Sequence, residues 1–381
     1  MHVTFTVDAA FLGGAERYVE RIGVGLIARG IDVAVLAREP GSEEKDLAGW
    51  YEQLRGRGML VRTVAMGLPF HPFRCAPIAK AFRALRPDLV HLNVPGPYDA
   101  QMGLLAPLAR LSGARAVVAT DHLPMVKPLW KRAMVRRTGY AFVRRVITVC
   151  HANVAPLVDW HRVRANRIVV IPNGVSDPYG ADGVPRARMR ADRGWQDDEV
   201  VVAFVGNILE HKGLARVIEA LAHITDGRWR LVVAGDGPDR ARCEALTEHL
   251  APSGRIHFLG AINPNRVADI LAGCDVLALP SRVEGMPYVI LEAMAAECAV
   301  VASTVAGIPE QVSEGVTGLL VDAEDVSAIA RALADLISDP SRCARFGREG
   351  RRRFKRLFSL EQQVDRTVSV YRDALGAGGK S

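Results

Sequence analysis

The sequence lacks the long apolar runs that mark membrane proteins. None of its 381 residues belongs to a run of about 18 or more apolar residues, so no membrane-spanning helix is expected. The opening residues, MHVTFTVDAAFLGGAER, have neither the basic start nor the long apolar centre of a signal peptide. The sequence therefore predicts a cytoplasmic protein, with peripheral contact at the inner face of the membrane as an open alternative.

Cysteine is scarce, and its spacing excludes the common metal sites. The six cysteines form no CxxC pair, and several lie in apolar segments where a thiol behaves as a small apolar group. No Asp-x-Asp pair is present that would hold a divalent ion against a diphosphate. We expect reduced core cysteines and no metal site. The cysteines are Cys75, Cys150, Cys243, Cys274, Cys298 and Cys343.

The charge balance indicates an anionic partner without identifying it. A formal charge of +7 fits an anionic ligand, a membrane surface or nucleic acid. The segment Lys127 to Arg145, KPLWKRAMVRRTGYAFVRR, is predicted to form a helix in which seven cations interleave with apolar residues. A solvated helix packed on a sheet is one interpretation, and a face that docks on anionic lipid is the other.

Strands and helices alternate along the whole chain, which is typical of doubly wound parallel sheets. The length exceeds what one core usually supports, so two such domains are expected. Strands are predicted at 2–7, 32–37, 60–65, 89–93, 116–120, 146–149, 168–171, 200–205, 230–234, 256–259, 276–279 and 299–302. The predicted parts are a first domain over 1–175, a linker over 176–198, a second domain over 199–358 and a C-terminal helix over 359–381 that crosses back to the first domain and ends in a frayed tail.

The segment PSRVEGMPYVILEAMAAECAVVAS, residues 280–303, combines a carboxylate with a helix start. Pro287 suits the first helical position because its φ is fixed and it has no amide hydrogen to lose. The N–H groups of Tyr288 and Val289 could then bind an anion such as a diphosphate, which the helix dipole also favours. Glu284, in the preceding loop, is better suited to accept hydrogen bonds from sugar hydroxyls. These residue types suggest a ligand with both phosphate and sugar.

Three further candidates stand where predicted strands or loops end, the edge at which parallel sheets bind ligands. Gly14 follows Gly13 after the first strand, and the pair either lets the backbone approach a phosphate or makes a tight turn. His122 is a candidate for sugar contact, with a structural role as the alternative. Lys212 precedes a helix start, where its charge would complement a diphosphate, although alone it is merely an exposed lysine.

Taken together in order, seven motifs resemble those of the GT-B glycosyltransferases of family GT4, which are retaining and use nucleotide sugars. They span residues 13 to 322, so the resemblance covers nearly the whole chain and implies two Rossmann-like domains facing a cleft. The motifs are GGAER from Gly13, TDH ending at His122, IPNGV from Ile171, VGNILEHKG from Val205, AGDGP from Ala234, EGMPYVILEAMA from Glu284 and GVTGLLVD ending at Asp322.

The resemblance implies a role for each candidate residue. Glu284 would bind hydroxyls of the donor sugar, Lys212 the diphosphate and His122 the transferring sugar, and these three would form the catalytic set. Glu292 would bind the ribose hydroxyls. The other positions implied in binding the nucleotide sugar are Gly14, Asn207, Met286, Tyr288 and Val289.

The implied reaction moves a sugar from a nucleoside diphosphate to an acceptor hydroxyl with retention. A UDP-hexose or UDP-N-acetylhexosamine is the leading donor, and GDP-mannose the next. No cofactor besides this co-substrate and no metal are expected, because Lys212 and helix N-termini would stabilise the diphosphate. The acceptor would be a lipid-linked glycan, a polysaccharide precursor or a small natural product such as an aminocyclitol.

One departure from the family pattern concerns the diphosphate. The family usually has an arginine where this chain has Asn207, and an amide donates hydrogen bonds but cannot neutralise charge. Either a nearby arginine such as Arg282 substitutes, or the enzyme is slow or uses an atypical donor.

Three alternatives belong to other classes. A catalytically silent nucleotide-sugar-binding module is conceivable because of Asn207. A pyridoxal phosphate phosphorylase needs a lysine, and the second half of the chain has only Lys212, Lys355 and Lys380. Nucleic-acid binding is suggested by charge alone, without an aromatic and basic motif. A nicotinamide role is not expected either, since Arg240 replaces the third glycine of the dinucleotide fingerprint.

Overall fold

The chain forms two compact units. The computed structural model describes residues 1–9, 12–65, 72–96, 102–124, 130–225, 228–250, 254–263 and 266–376. Unit 1 comprises Met1–Gly174 together with Leu360–Ser381, and unit 2 comprises Val175–Ser359. Within the described residues, no helix is both long enough and apolar enough to cross a membrane.

Unit 1 is built on a parallel sheet whose described strands number seven, in the order β3-β2-β1-β4-β5-β6-β7. Most of these strands are buried along their length, which explains their near-continuous apolar sequences. The strands are β1 (His2–Val7), β2 (Asp32–Arg38), β3 (Leu60–Val64), β4 (Leu89–Val94), β5 (Ala116–Asp121), β6 (Arg145–Thr148) and β7 (Ile168–Val170). The helices are α1 (Gly14–Ile27), α2 (Lys45–Gly56), α3 (Pro72–Leu85), α4 (Met102–Leu111), α5 (Trp130–Phe142) and α6 (Val154–Asp159).

Unit 2 contains a second parallel sheet, whose described strands number six, in the order β10-β9-β8-β11-β12-β13. The strands are β8 (Val200–Val205), β9 (Trp229–Ala234), β10 (Ile256–Gly260), β11 (Val276–Leu279), β12 (Ala299–Ser303) and β13 (Gly318–Val321). The helices are α7 (Arg186–Ala191), α8 (Leu214–Ala222), α9 (Arg240–Leu250), α10 (Val267–Gly273), α11 (Tyr288–Ala295), α12 (Ile308–Gln311), α13 (Val326–Ser338) and α14 (Pro340–Leu357).

The last helix, α15 (Leu360–Leu375), belongs to unit 1. Its Tyr371 hydroxyl bonds Nδ1 of His91 in β4 at 2.5 Å. Gln363 donates to the side-chain oxygen of Asn173 at 3.2 Å and accepts from the N–H of Gly174 at 2.9 Å. The IPNGV motif therefore supplies polar groups that hold the C-terminal helix on unit 1.

The predicted fold class, two doubly wound parallel sheets, is confirmed. Every predicted strand is present with bounds that agree to one residue. The sequence prediction missed β13, a strand of four residues that begins at Gly318. A Cβ atom at Gly318 would lie 2.2 Å from the carbonyl oxygen of Val300, so the close pairing of β13 with β12 requires glycine there.

The predicted linker over 176–198 is instead part of unit 2 and contains α7. Arg186 and Arg190 reach the two oxygens of the Asp275 carboxylate at 2.9 and 2.8 Å. Asp275 also accepts a hydrogen bond from the N–H of Val201 at 2.8 Å. This segment, although rich in Gly, Pro, Asp and Arg, is therefore fixed by ion pairs within unit 2.

We expect Asp275→Ala to destabilise unit 2 by about 3 kcal/mol, because it leaves the guanidinium of Arg190 buried without its carboxylate. The side chain of Arg190 is only 6% exposed. Asp192→Ala is the matched control, since Asp192 is 57% exposed and forms a long surface pair, so its loss costs less than about 1 kcal/mol. Urea unfolding measures both. Equal midpoints for the two variants would contradict this account.

Candidate active site

The predicted site residues divide between the two units, and in each unit they follow the C-terminal ends of parallel strands. This is the edge at which open parallel sheets bind ligands. In unit 1, Gly14 follows β1 and His122 follows β5; in unit 2, Asn207 and Lys212 follow β8, and the segment from Glu284 to Glu292 follows β11.

The loops that follow β8 and β11 lie side by side because these two strands are neighbours. The N–H of Arg282 donates to the carbonyl oxygen of His211 at 2.7 Å. The guanidinium of Arg216 donates to the carbonyl oxygen of Pro280 at 3.0 Å. These two hydrogen bonds tie the loop that carries Lys212 to the loop that leads to Glu284.

Gly213 makes the close approach of these loops possible. Its φ of 86° lies in the left-handed region that favours glycine. A Cβ atom at this position would lie 2.6 Å from the carbonyl oxygen of Pro280 and 2.7 Å from the Arg216 guanidinium. The glycine in the HKG motif is therefore required both by backbone conformation and by the neighbouring loop.

Lys212 and Glu284 form a direct ion pair. The Lys212 Nζ atom lies 2.5 Å from Oε1 of Glu284, and the side chains are 24% and 9% exposed. A charge-assisted hydrogen bond between groups this poorly solvated is stronger than a typical surface ion pair. The two residues that the family resemblance assigns to the diphosphate and the sugar thus contact each other in the structure.

Arg282 is held by two carboxylates from neighbouring loops. Its guanidinium donates to Glu324 Oε2 at 2.7 Å and forms two further short contacts, one with Glu324 and one with Glu210. The hydrogen bond from Arg282 lowers the pKa of the Glu324 carboxyl. A diphosphate would have to compete with both carboxylates, so Arg282 is better placed to join three loops than to replace the cation missing at Asn207.

Asn207 is exposed in a loop whose backbone packs against the AGDGP motif. Cβ atoms at Gly235 and Gly237 would lie 1.9 Å from the carbonyl oxygen of Gly206 and 2.3 Å from that of Ile208. Only glycine fits at such distances. The glycines of this motif therefore allow the loops after β8 and β9 to pack closely, which sets the position of Asn207.

Helix α11 begins one residue later than predicted. Pro287 is the N-cap residue, with φ −67° and ψ 130°, and Tyr288 is the first helical residue. The carbonyl oxygen of Pro287 accepts a hydrogen bond from the Gln311 amide at 3.0 Å. The N–H groups of Tyr288 and Val289 remain in the first helical turn, as the hypothesis of an anion site requires.

Glu292 and Met286 occupy different environments in the same segment. Glu292 is half-buried in α11, four residues after Tyr288 and hence on the same side of the helix. Met286 is buried, with 4% exposure. Their assignment to the nucleotide stays a prediction, as do the roles of the other candidate residues.

His122 is held by a chain of hydrogen bonds in unit 1. Its Nε2 atom lies 2.8 Å from Oδ1 of Asn93, whose amide nitrogen donates to the carbonyl oxygen of Ala15 at 3.2 Å. This orients the Asn93 oxygen toward the ring, so Nε2 carries the proton and Nδ1 is an acceptor. Burial lowers the pKa of His122 to about 4. His122 can therefore accept a hydrogen bond from a hydroxyl near pH 7, but it is not a cation there.

Gly14 is the first residue of α1 and is exposed. The preceding N–H, that of Gly13, donates to the carboxylate of Glu16 at 2.9 Å. Burial raises the pKa of Glu16. A phosphate bound at the start of α1 would therefore lie near the carboxyl group of Glu16, which already accepts the N–H of Gly13. The motif GGAER alone does not reveal this contact.

Potential metal ligands do not cluster in the part of the chain that the structure describes, where no group of three or more His, Cys, Asp or Glu side chains could hold an ion. All six cysteines are free, and five of them are buried, with Cys75 half-buried.

Two family models match the chain. The model described as Glycosyltransferase Family 4 matches residues 12–177, and the model described as Glycosyl transferases group 1 matches residues 185–353. The chain is 34% identical to the alpha-maltose-1-phosphate synthase of Mycolicibacterium smegmatis, over 72% of this chain and 76% of that protein. The chain belongs to glycosyltransferase family 4.

Another relative of this family 4 glycosyltransferase aligns with nearly the whole of the present chain. The D-inositol 3-phosphate glycosyltransferase of Rhodococcus opacus is 30% identical over 95% of this chain and 86% of that protein. Among solved structures, Anabaena Alr3699/HepE in complex with UDP and glucose matches with a TM-score of 0.81 at 20% identity, covering 98% of this chain and all of that one. The predicted GT-B fold is confirmed.

Several residues that position the candidate side chains of this glycosyltransferase were not predicted from the sequence. Asn93 orients His122, and its position at the end of a predicted strand was a signal that could have been used. Arg216 and Gly213 fix the loop of Lys212, but no sequence pattern reveals that their partner is the backbone of Pro280.

We expect acid to destabilise unit 1 through its buried histidines. Burial lowers the pKa values of His91, His122 and His161 from the ordinary 6.5 to about 3, 4 and 4. Between pH 6.5 and about 4 the unfolded chain binds protons that the folded unit does not, so stability falls as the pH is lowered through this window.

The variant His91→Gln tests this proton linkage. It removes one linked proton and should flatten the dependence of the unfolding free energy by up to about 1.4 kcal/mol per pH unit. Chemical denaturation at several pH values between 7 and 5 measures the slope, with His151→Gln, at an exposed position, as the control. An unchanged slope in His91→Gln would refute the linkage.

Proposed function

We propose that the protein transfers a sugar from a nucleoside diphosphate donor to an acceptor hydroxyl with retention and without a metal ion. The leading donor is a UDP-hexose or UDP-N-acetylhexosamine. The acceptor is a hydroxyl of a lipid-linked glycan, a polysaccharide precursor or a small cyclitol-type natural product. The observation that carries the proposal is the 2.5 Å pair between Lys212 and Glu284 at the sheet edge that also holds the start of α11.

Donor binding replaces each member of this ion pair by a part of the donor. The diphosphate takes the ammonium of Lys212, and hydroxyls of the sugar donate to the carboxylate of Glu284. Glu284 is 9% exposed, so leaving it ionised without a partner would be costly. Lys212 supplies that partner until the sugar arrives, and the exchange leaves neither charge unpaired.

The same arrangement stabilises the leaving group. As the bond to the sugar breaks, negative charge grows on the diphosphate, and Lys212 with the N–H groups of Tyr288 and Val289 lies ready to receive it. Asn207 adds a hydrogen-bond donor but no charge. These groups supply the stabilisation for which other enzymes use a divalent ion, which is why we propose metal-independent transfer.

Relatives and structural neighbours narrow the choice of substrates. The HepE structure contains UDP and glucose, which supports a UDP-linked donor. The relative named D-inositol 3-phosphate glycosyltransferase supports a cyclitol-type acceptor. We therefore place UDP-glucose and a phosphorylated inositol first among the compounds to be tested.

Contact with anionic membrane through residues 127–145 stays a prediction. Several arginines of this segment already have protein partners, which reduces the positive charge that they could offer to lipid. The Arg136 guanidinium is fully buried in a pair with Asp121. The remaining described arginines of the segment donate to backbone carbonyls: Arg137 to Trp160, Arg144 to Ala374 and Arg145 to Asn166. Besides Arg137 and Thr138, α5 exposes large apolar side chains, with Trp130, Met134 and Phe142 exposed by 68%, 56% and 41%.

The exchange mechanism predicts opposite effects for the two members of the pair. Glu284→Gln should lower the release of UDP from UDP-glucose by about 100-fold, as expected when one contact to the reacting sugar is lost. Bare UDP should bind this variant at least as tightly as the wild type, since Lys212 no longer has a carboxylate partner. Lys212→Met should instead weaken the binding of bare UDP, because the diphosphate loses its cation. Calorimetry measures the binding, and a nucleotide-release assay measures the turnover, with GDP and GDP-mannose as the second set.

Glu248→Gln, an exposed change of the same kind on α9, is the control and should leave both quantities unchanged. Wild-type turnover in Glu284→Gln would show that this carboxylate does not contact the reacting sugar. Donor binding by the wild type without turnover, with acceptors of every proposed class, would favour a silent binding module.

A further inference from the structure

A buried series of hydrogen bonds connects the C-terminal helix α15 to the centre of unit 1. The Tyr371 hydroxyl lies 2.5 Å from Nδ1 of His91 in β4, and Nε2 of the same ring lies 2.7 Å from Oγ1 of Thr120 in β5. That oxygen lies 3.0 Å from the hydroxyl of Tyr18 in α1. We name these four residues the buried network. All four belong to unit 1, and each is at most 1% exposed.

The direction of each hydrogen bond follows from the chemistry of His91. Burial lowers the pKa of His91 to about 3, so near pH 7 the ring is neutral and has one donor and one acceptor. Within the described residues, the Tyr371 hydroxyl has no other hydrogen-bond partner, so it donates to Nδ1. Nε2 then carries the proton and donates to Thr120, whose own O–H is left to donate to Tyr18.

Both ends of the buried network lie on α15. Thr367 stands about one turn before Tyr371 and interacts with the Tyr18 hydroxyl. The Thr367 hydroxyl donates to the carbonyl oxygen of Gln363 at 2.8 Å, so its oxygen is left to accept from Tyr18. The last helix therefore holds the Tyr18 hydroxyl directly through Thr367 and indirectly through Tyr371.

Tyr18 also contacts His122, the candidate for sugar contact. The two ring centroids lie 4.9 Å apart and the ring planes are inclined by 77°, an edge-to-face arrangement that aromatic pairs favour. The hydrogen bond of His122 to Asn93 fixes which ring nitrogen faces β4, but a single hydrogen bond leaves the tilt of the ring free. The contact with the Tyr18 ring supplies the second constraint.

We propose that Tyr18 is a positioning residue for His122, and that α15 fixes the position of Tyr18 through the buried network. This inference rests on the proposed function, in which His122 contacts the transferring sugar. Such a contact is effective only when the ring is held in the correct place, since a displacement of about 1 Å can cost about 100-fold in rate. The C-terminal helix is then part of the support of the active site as well as of the core.

The test compares variants that each remove one part of this arrangement. Tyr18→Phe keeps the ring beside His122 and removes the hydroxyl, whereas Tyr18→Leu removes the ring as well. Tyr371→Phe removes the hydroxyl at the other end of the buried network. Tyr51→Phe is the matched control, because Tyr51 is a buried tyrosine of unit 1 whose hydroxyl donates to the carbonyl oxygen of Arg38 at 2.9 Å, outside the network.

Two measurements are made on each variant. The first is kcat and KM for the release of UDP from UDP-glucose. The second is a two-bond ¹⁵N–¹H correlation spectrum of protein labelled in histidine, which reports the tautomer and environment of the His122 ring without any donor. The spectrum of His122→Gln identifies the signals of that ring.

We expect Tyr18→Leu to lower kcat by about 10- to 100-fold with little change in KM, and to shift the His122 signals. Tyr18→Phe and Tyr371→Phe should each cause smaller losses and shifts. Because both hydroxyls act through one network, the double variant should lose less than the product of the two single losses. Tyr51→Phe should lower the melting temperature about as much as Tyr371→Phe, but leave kcat and the His122 signals unchanged.

Unchanged His122 signals in Tyr18→Leu would overturn the proposal, as would equal effects of Tyr51→Phe and Tyr371→Phe, because lost stability alone would then explain them. If Tyr18→Leu does not fold, the comparison of Tyr371→Phe with Tyr51→Phe decides. His122 signals that shift as expected in a wild-type background that turns over no donor would contradict the proposed function and leave the positioning of the ring supported.

Discussion

The close approach of two loops in unit 2 determines the geometry of the candidate site. Gly213, with a φ of 86°, lies where a Cβ atom would come within 2.6 Å of the Pro280 carbonyl oxygen. Because the loops after β8 and β11 meet at this point, Lys212 and Glu284 can reach each other across 2.5 Å. A side chain larger than hydrogen at Gly213 would separate the loops and with them the two charged groups.

The pair of Lys212 and Glu284 is the structural basis of the proposed chemistry. A buried carboxylate and an ammonium satisfy each other here, and each is suited to one part of the proposed donor, a sugar attached to a diphosphate. Arg282 contacts Glu210 and Glu324 in the same group of loops, whereas Lys212 pairs with Glu284. In the proposed function, the donor would break the pair between Lys212 and Glu284 and would leave the contacts of Arg282 in place.

The sequence was sufficient to predict both parallel sheets, because buried parallel strands are continuous apolar runs that alternate with amphipathic helices. It did not predict β13, because a strand of four residues is too short to show a periodic pattern. It did not predict α7 either, because α7 lies in a segment rich in Gly, Pro, Asp and Arg that was predicted to be a linker. The long-range partner of α7 is Asp275, and no local pattern indicates a contact that spans about ninety residues of chain.

The candidate side chains were found from strand ends and from a family resemblance, whereas their contacts were not. Nothing in the sequence indicates that Lys212 pairs with Glu284, that Arg282 is engaged by two carboxylates or that Asn93 fixes the tautomer of His122. The basic segment 127–145 illustrates the same limit, since its buried Arg136 looks identical in sequence to an exposed arginine.

The most direct test of the central claim, that this site binds a nucleoside diphosphate through Lys212 and the start of α11, is a thermal-shift panel. Free UDP, GDP and ADP and their sugars would each be added at fixed protein concentration, with and without a chelator. A ligand at about 100 times its dissociation constant should raise the melting temperature by roughly 5 to 10 °C. The account predicts such a rise with one diphosphate family, unchanged by the chelator and absent in Lys212→Met. No rise with any nucleotide, or a rise that Lys212→Met retains in full, would contradict it.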